Sequence, residues 1–162
     1  MAVRLILVLV LASACALAGR MIARTGIMSA DKLARMREDL TLIKEYTTIR
    51  LMPAADALLM TNTEIFVRMG EIMKKTGIMS PAEAFCEAYS QVDRDSAVYR
   101  ILSVLFEAVG TLSVKAHEAE YAKCCEALLC EERKVRKEGE EKLKLYTSLG
   151  ALLGLSVGIF LL

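Results

Sequence analysis

The apolar residues of this chain cluster at its two ends and recur with helical spacing in between. Leu5 to Gly19 carries no charge, and neither does Leu145 to Leu162. In the middle, apolar positions fall three or four residues apart, the mark of an amphipathic helix. Leu33, Met36, Leu40, Ile43 and Ile49 lie near one helical face. Ile65, Phe66, Met69, Ile72 and Met73 make a second stripe, and Val98, Ile101, Leu102, Leu105, Phe106 and Val109 a third. No stretch between residues 25 and 144 alternates with period two, so no strand is predicted. The pattern predicts an all-α chain: a helical bundle of about six helices, flanked by an N-terminal and a C-terminal transmembrane helix.

Local punctuation places the turns. Thr-Gly-Ile-Met-Ser occurs at residues 25–29 and again at 76–80. Cap chemistry explains the shared residues more plainly than a duplication does. Gly77 can take the left-handed position that ends a helix. Ile78 or Met79 can staple, and Ser80-Pro81-Ala82-Glu83 is a capping box with proline at the first helical position. The first copy has the same glycine and serine but Lys32 in place of the glutamate; it too is read as a helix–turn–helix linker. After Gly110 no strong stop signal follows, so a helix capped by Ser113 is predicted to run through His117, Tyr121, Leu128, Val135 and Leu143 to the end. Within it, Glu131 to Lys144 holds 11 charged residues out of 14. Glu132/Arg136, Glu138/Lys142 and Glu140/Lys144 have the favourable i, i+4 order, so this stretch reads as a solvated stalk with Gly139 as its weak point. The predicted divisions are an anchor over 1–24, a helical bundle over 25–130, the stalk over 131–144 and a second membrane helix over 145–162.

Charge decides how the ends are used. The second apolar run spans roughly 27 Å as a helix and the first roughly 22 Å, against a bilayer core of about 30 Å. The first run also resembles a secretory signal: Ala16-Leu17-Ala18 is an A-x-A site, and Ala12-Ser13-Ala14-Cys15 has a lipoprotein-like form. A signal peptide carries its positive charge before the apolar run. Here only Arg4 precedes it, whereas Arg20, Arg24, Lys32, Arg35 and Arg37 follow. Arg133, Lys134, Arg136, Lys137, Lys142 and Lys144 precede the second run. Both flanks therefore put the middle of the chain in the cytoplasm and both termini outside. The alternative is an exported helical lipoprotein or binding domain cleaved near Cys15.

Small residues line both apolar runs. Gly150, Gly154 and Gly158 form a smooth stripe on the second, and Ala12 and Ala16 sit on a matching stripe of the first. In lipid no hydrophobic force joins helices, so association relies on the close approach that small residues permit. The antiparallel topology puts Gly150 near Ala16, Gly154 near Ala12 and Gly158 near Val8, and these faces are expected to pack.

Composition narrows the chemistry. The 162 residues suit one domain, with 55% hydrophobic residues and a mean hydropathy of +0.40. A net charge of +1 gives no reason to expect a nucleic-acid partner. Five cysteines, odd in number and irregular in spacing, do not read as a disulfide framework and suit a reducing compartment. His117 and Cys124 share a helix face, but Cys125 and Cys130 do not join them, so no metal site is expected. No phosphate-loop, nucleophile-elbow, zinc-protease or dinucleotide fingerprint occurs. With one histidine and no paired carboxylates, neither catalysis nor a cofactor is expected.

The closing segment Lys142-Leu-Lys-Leu-Tyr146-Thr-Ser-Leu149-Gly150-Ala-Leu-Leu-Gly154-Leu-Ser-Val-Gly158-Ile-Phe-Leu-Leu162 is similar to the Lys-x-Tyr-x-x-Leu-Gly, second-Gly and apolar-tail pattern of the stage III sporulation protein AB family. Weaker matches are Lys32-Leu33-Ala-Arg35-Met-Arg37-Glu-Asp-Leu40, Leu51-Met52-Pro53-Ala-Ala-Asp-Ala-Leu58 and Ser80-Pro81-Ala-Glu83-Ala-Phe85. The layout resembles the family over almost the whole length. The family usually carries Trp where Phe85 stands, and an Asp and a Gln after its mid-domain Leu-Gly, which Val109-Gly110-Thr111-Leu112-Ser113 lacks. The chain thus resembles a divergent member. The resemblance implies a mother-cell membrane component of the secretion-like complex linking mother cell and forespore. It also implies a domain like the type II secretion F platform, which works with a cytosolic ATPase and does no chemistry of its own.

Overall fold

The computed structural model describes residues 2–90, 96–109 and 114–161. Six helices follow one another: α1 (Ala2–Thr48), α2 (Ala54–Leu59), α3 (Glu64–Thr76), α4 (Pro81–Ala88), α5 (Ala97–Val109) and α6 (Val114–Leu161). Among the described residues there is no strand. The all-α prediction holds, and α6 runs unbroken as its lack of stop signals requires; Ser113, its expected cap, lies outside the described residues. The chain divides into two compact units. One consists of residues 1–31 and 132–162, the other of residues 32–131.

The two copies of Thr-Gly-Ile-Met-Ser have different structures. The second is the predicted linker. Gly77 ends α3 at φ 69° with its N–H donating to Met73 O at 2.9 Å. Ser80 Oγ accepts from the Glu83 N–H at 3.3 Å, while the Ser80 N–H donates to Glu83 Oε2 at 2.9 Å. These bonds from Ser80 also lower the Glu83 pKa, the backbone N–H contributing most. Met79 is half-buried and Ile78 exposed, so Met79 is the better candidate for the staple. The first copy is not a linker: α1 passes through residues 25–29 without interruption. Nothing after it forces a stop, because Ala30 stands where the second copy has Pro81, and Lys32 where it has Glu83. Gly26 then remains a helical residue at a cost of about 1 kcal/mol relative to alanine.

The unit of residues 32–131 has one apolar core. Leu40 and Ile43 of α1, Leu58 of α2, Phe66 and Met69 of α3, Phe85 of α4, Leu102 and Leu105 of α5 and Leu128 of α6 are fully buried. Each predicted stripe supplies part of this core, its other members being half-buried, except Ile49, which lies beyond the end of α1 and is exposed. Phe85 organises the aromatic part: its ring stacks on Phe106 at 5.2 Å and Tyr99 at 5.3 Å, and meets Tyr89 at 5.0 Å. Helices α2 and α3 approach closely at Gly70, where a Cβ would stand 2.9 Å from Ala55 O and 2.9 Å from Leu59 Cγ.

Two polar devices shape the entry to α2 and α3. Asp39 of α1 is only 3% exposed. Its Oδ2 accepts from the backbone N–H of Asn62 at 3.1 Å and of Thr63 at 2.7 Å, and from the Thr63 hydroxyl. Thr63 is the N-cap of α3 yet makes no side-chain cap of its own. Asp39 instead holds the N–H groups just ahead of the helix and puts a negative charge where the helix dipole favours one. Earlier in the chain, α1 ends with Met52 N donating to Tyr46 O at 2.9 Å, and Leu51 turns at φ 52°. A left-handed backbone at a branched side chain is strained by about 1–2 kcal/mol. Arg50 lies over the Tyr46 ring at 4.9 Å and pairs with Glu45 at 3.1 Å, which holds the corner.

Among the described residues no helix is long and apolar enough to cross a membrane. Most side chains of the two apolar runs, Leu5–Gly19 and Leu145–Leu162, lie outside the described residues.

Candidate docking surfaces

In the unit of residues 1–31 and 132–162, a side chain of α6 reaches across to α1. Arg136 Nη2 donates to Asp31 Oδ1 at 3.1 Å and to Glu132 Oε1 at 3.4 Å. Glu132 is the most buried of the three, with 12% of its side chain exposed. Such a half-buried charged clasp adds little net stability, but it discriminates between registers, because a slip leaves charges unpaired. Beyond it, each step up α6 matches a step back along α1. Leu143 then falls level with Arg24 and Gly150 with Leu17. A groove lined by Leu17, Met21, Arg24, Ile27 and Leu143 agrees with that register.

Gly139 and Gly150 are both buried on α6. Eleven residues are close to three helical turns, so they share a face. Gly139, expected as the weak point of a solvated stalk, therefore belongs to the covered side of the helix. Within the stalk Glu132 pairs with Arg136 as predicted, and Lys137 lies 4.0 Å from Glu141. Of the small residues expected to pack in the membrane, Gly150 is described and buried. The surroundings of Gly154, Gly158, Ala12 and Ala16 lie outside the described residues.

In the unit of residues 32–131, α5 and the first half of α6 enclose a groove of about 320 Å3. Its apolar lining is Ile101, Val104 and Leu105 from α5 and Cys124 and Ala127 from α6. Val104 is 60% exposed, on the side of α5 that also carries Arg100 and Glu107. Arg100 stands on one rim, and Lys123, ion-paired to Glu120 at 2.6 Å, on the other. An exposed aliphatic anchor inside a charged rim is the anatomy of a protein-docking patch. The hydrophobic periodicity of α5 includes Leu105 on its buried stripe but gives no sign of the groove, which depends on how α6 lies against α5.

The groups singled out for possible chemistry are not brought together. Cys124 is buried and has its pKa raised to about 12, first by desolvation and then by Cys125. A thiol so placed is a small hydrophobe rather than a nucleophile. Tyr121, one turn earlier, is pushed up to about 12 by burial, partly offset by its hydrogen bond to Thr47. His117 Nε2 is buried and has no partner among the described residues. No group of three or more His, Cys, Asp or Glu among the described residues is arranged to hold a metal ion.

The chain matches no curated protein and no solved structure. It does match one protein family, described as stage III sporulation protein AB, over residues 4–162. That match takes in both apolar runs, the helical unit between them and the glycine-bearing end of α6. With nearly the whole chain covered, the protein belongs to the stage III sporulation protein AB family.

Proposed function

We propose that this protein is a non-enzymatic membrane platform of the sporulation secretion-like complex linking mother cell and forespore, and that it docks a cytosolic secretion-type ATPase. Family membership over residues 4–162 is the observation that carries the sporulation role. The membrane reading draws support from exposed apolar side chains. Val10, Leu17, Met21, Met28, Leu145, Leu149 and Leu152, all in the unit of residues 1–31 and 132–162, are each at least 45% exposed. Water-facing surfaces rarely carry so many large apolar groups together. With the basic residues that flank both apolar runs, this favours two spans with the central unit on the cytoplasmic, mother-cell side. The groove between α5 and α6 is our candidate for the ATPase contact, because Val104 offers an anchor and Arg100 a charged rim.

Co-purification from membranes of sporulating cells tests the partnership. The ATPase and other membrane components of the complex should come down with the wild-type protein, and a Val104→Asp variant should lose the ATPase alone. Retention of the ATPase at the wild-type level would remove the groove from consideration. Intact mass measurement distinguishes the retained anchor from an exported form cleaved near Cys15.

A further inference from the structure

The helix pair of residues 1–31 and 132–162 has a one-sided charge distribution where its polar part meets its apolar part. Residues 1–30 contain no Asp or Glu, and residues 142–162 contain none either. Of the acids nearest this level, Asp31 pairs with Arg136 at 3.1 Å, Glu141 lies 4.0 Å from Lys137, and Glu140 sits one turn before Lys144. Arg24 and Lys144 have no protein carboxylate among the described residues, and both are exposed. They do not stand on bare surface. Arg24 lines a groove together with Leu17, Met21, Ile27 and Leu143. Lys144 lines an adjoining depression with Leu143, Thr147 and Ser148. Leu143 lines both.

We propose that this site binds one acidic phospholipid molecule, with its phosphodiester between Arg24 and Lys144 and an acyl chain along Leu17, Met21 and Leu143. The shape and the charge argue together. Met21 is 73% and Leu17 60% exposed, so the trough has an exposed apolar wall. A ligand that matches cations at one end and an alkane trough at the other must be anionic and amphiphilic. Ser148, exposed beside Lys144, adds a hydroxyl that can donate to a phosphate oxygen. Arginine is suited to such a contact because its planar fork meets two phosphate oxygens at once. Basic pockets between membrane helices on the cytoplasmic side are a known mode of headgroup recognition. Lipid held at this level would brace α1 against α6 above the clasp and neutralise the charge that the protein leaves uncompensated.

This inference rests on the membrane reading above, and the test separates the two. The full chain is mixed with vesicles of phosphatidylcholine alone and with vesicles containing phosphatidylglycerol, and flotation is measured. It is then extracted in detergent, and bound lipid is identified by native mass spectrometry. Wild-type protein should float with both vesicle types and retain phosphatidylglycerol in preference to phosphatidylcholine. Arg24→Gln combined with Lys144→Gln should weaken that retention roughly 30-fold, the product of two cation contacts to an anionic lipid. Arg133→Gln, an exposed cation of the same unit away from the groove, should leave it unchanged. Unaltered retention in the double variant, with wild-type helix content by circular dichroism, overturns the site. Equal retention of the two lipids by the wild type also overturns it, as does displacement of the bound lipid by excess glycerol 3-phosphate, since that would leave no role for the acyl trough. Failure to float with either vesicle type refutes the membrane reading itself, and the lipid site with it.

Discussion

Asp39 gives the sharpest test of how the central unit is held together. Its carboxylate ties the turn before α3 to α1, accepting from two backbone N–H groups and one hydroxyl. Replacing Asp39 with Ala removes all three bonds. The Asn62 side is exposed enough for water to replace its partner, whereas Thr63 is half-buried. A hydrogen bond to a charged group contributes about 1.5–3 kcal/mol, and a capping charge at a helix N-terminus a further 0.3–1 kcal/mol or so. With one of the three bonds largely recovered by water, Asp39→Ala should destabilise the unit by about 3–7 kcal/mol. Asp39→Asn keeps an acceptor oxygen and loses the charge, so its cost should be about 1–2 kcal/mol. Urea unfolding of the full chain in detergent, followed by circular dichroism, measures both. Hydrogen exchange should localise the effect to the Asn62 and Thr63 amides and the first turn of α3. Equal losses in the two variants, or a loss under 0.5 kcal/mol in Asp39→Ala, would show that the bonds are incidental.

Four further outcomes follow from positions where local rules are broken or groups are buried. Gly70→Ala should destabilise the central unit by about 1–3 kcal/mol in the same urea titration despite the better helix propensity of alanine, because its Cβ would meet Ala55 O and Leu59 Cγ at 2.9 Å. Leu51→Gly should raise the midpoint, since it relieves a left-handed backbone at φ 52° and removes a side chain that is already 78% exposed; the net gain is about 1 kcal/mol or less after the added unfolded-state entropy. Alkaline stability carries the mark of Tyr121 and Cys124, whose folded pKa values are raised from 10.0 and 9.0 to about 12. Below pH 9 both are protonated in the folded and unfolded chains. Above it the unfolded chain loses protons that the folded chain keeps, so stability should fall as pH climbs from about 9 to 12. The same burial means that exposed Cys86 and Cys130 should be alkylated well before Cys124 in the folded protein, and early modification of Cys124 would contradict its placement.

What the sequence revealed depended on the reach of the interaction. The Ser80 cap was legible because its chemistry closes within four residues, and the α5 stripe because its burial repeats with the helical period. Asp39 was not, since its partners lie 23 and 24 residues away and it reads as one more charge beside an apolar stripe. Arg136 was half legible: Glu132 follows from i, i+4 spacing, but Asp31 is 105 residues away. The groove between α5 and α6 has no linear signature at all. Leu51 was missed for a different reason, because a branched residue at positive φ contradicts the turn rules instead of following them.

The two copies of Thr-Gly-Ile-Met-Ser show where such local reading stops. Five identical residues make a chain reversal at 76–80 and part of a continuous helix at 25–29. A glycine permits a left-handed turn without requiring one, and the serine caps only if the next helix begins there. The decision falls to the residues that follow. Pro81 cannot donate the backbone bond that would continue a helix through Ser80, and Glu83 closes the capping box. Ala30 and Lys32 impose neither condition, so the helix continues to Asp31 and the clasp with Arg136. Exchanging Ala30-Asp31-Lys32 for Pro-Ala-Glu would thus do two things at once: install a stop in α1 and delete the charge that sets its register against α6. The Asp31→Asn variant separates these effects, because it weakens the clasp while leaving every helix signal in place.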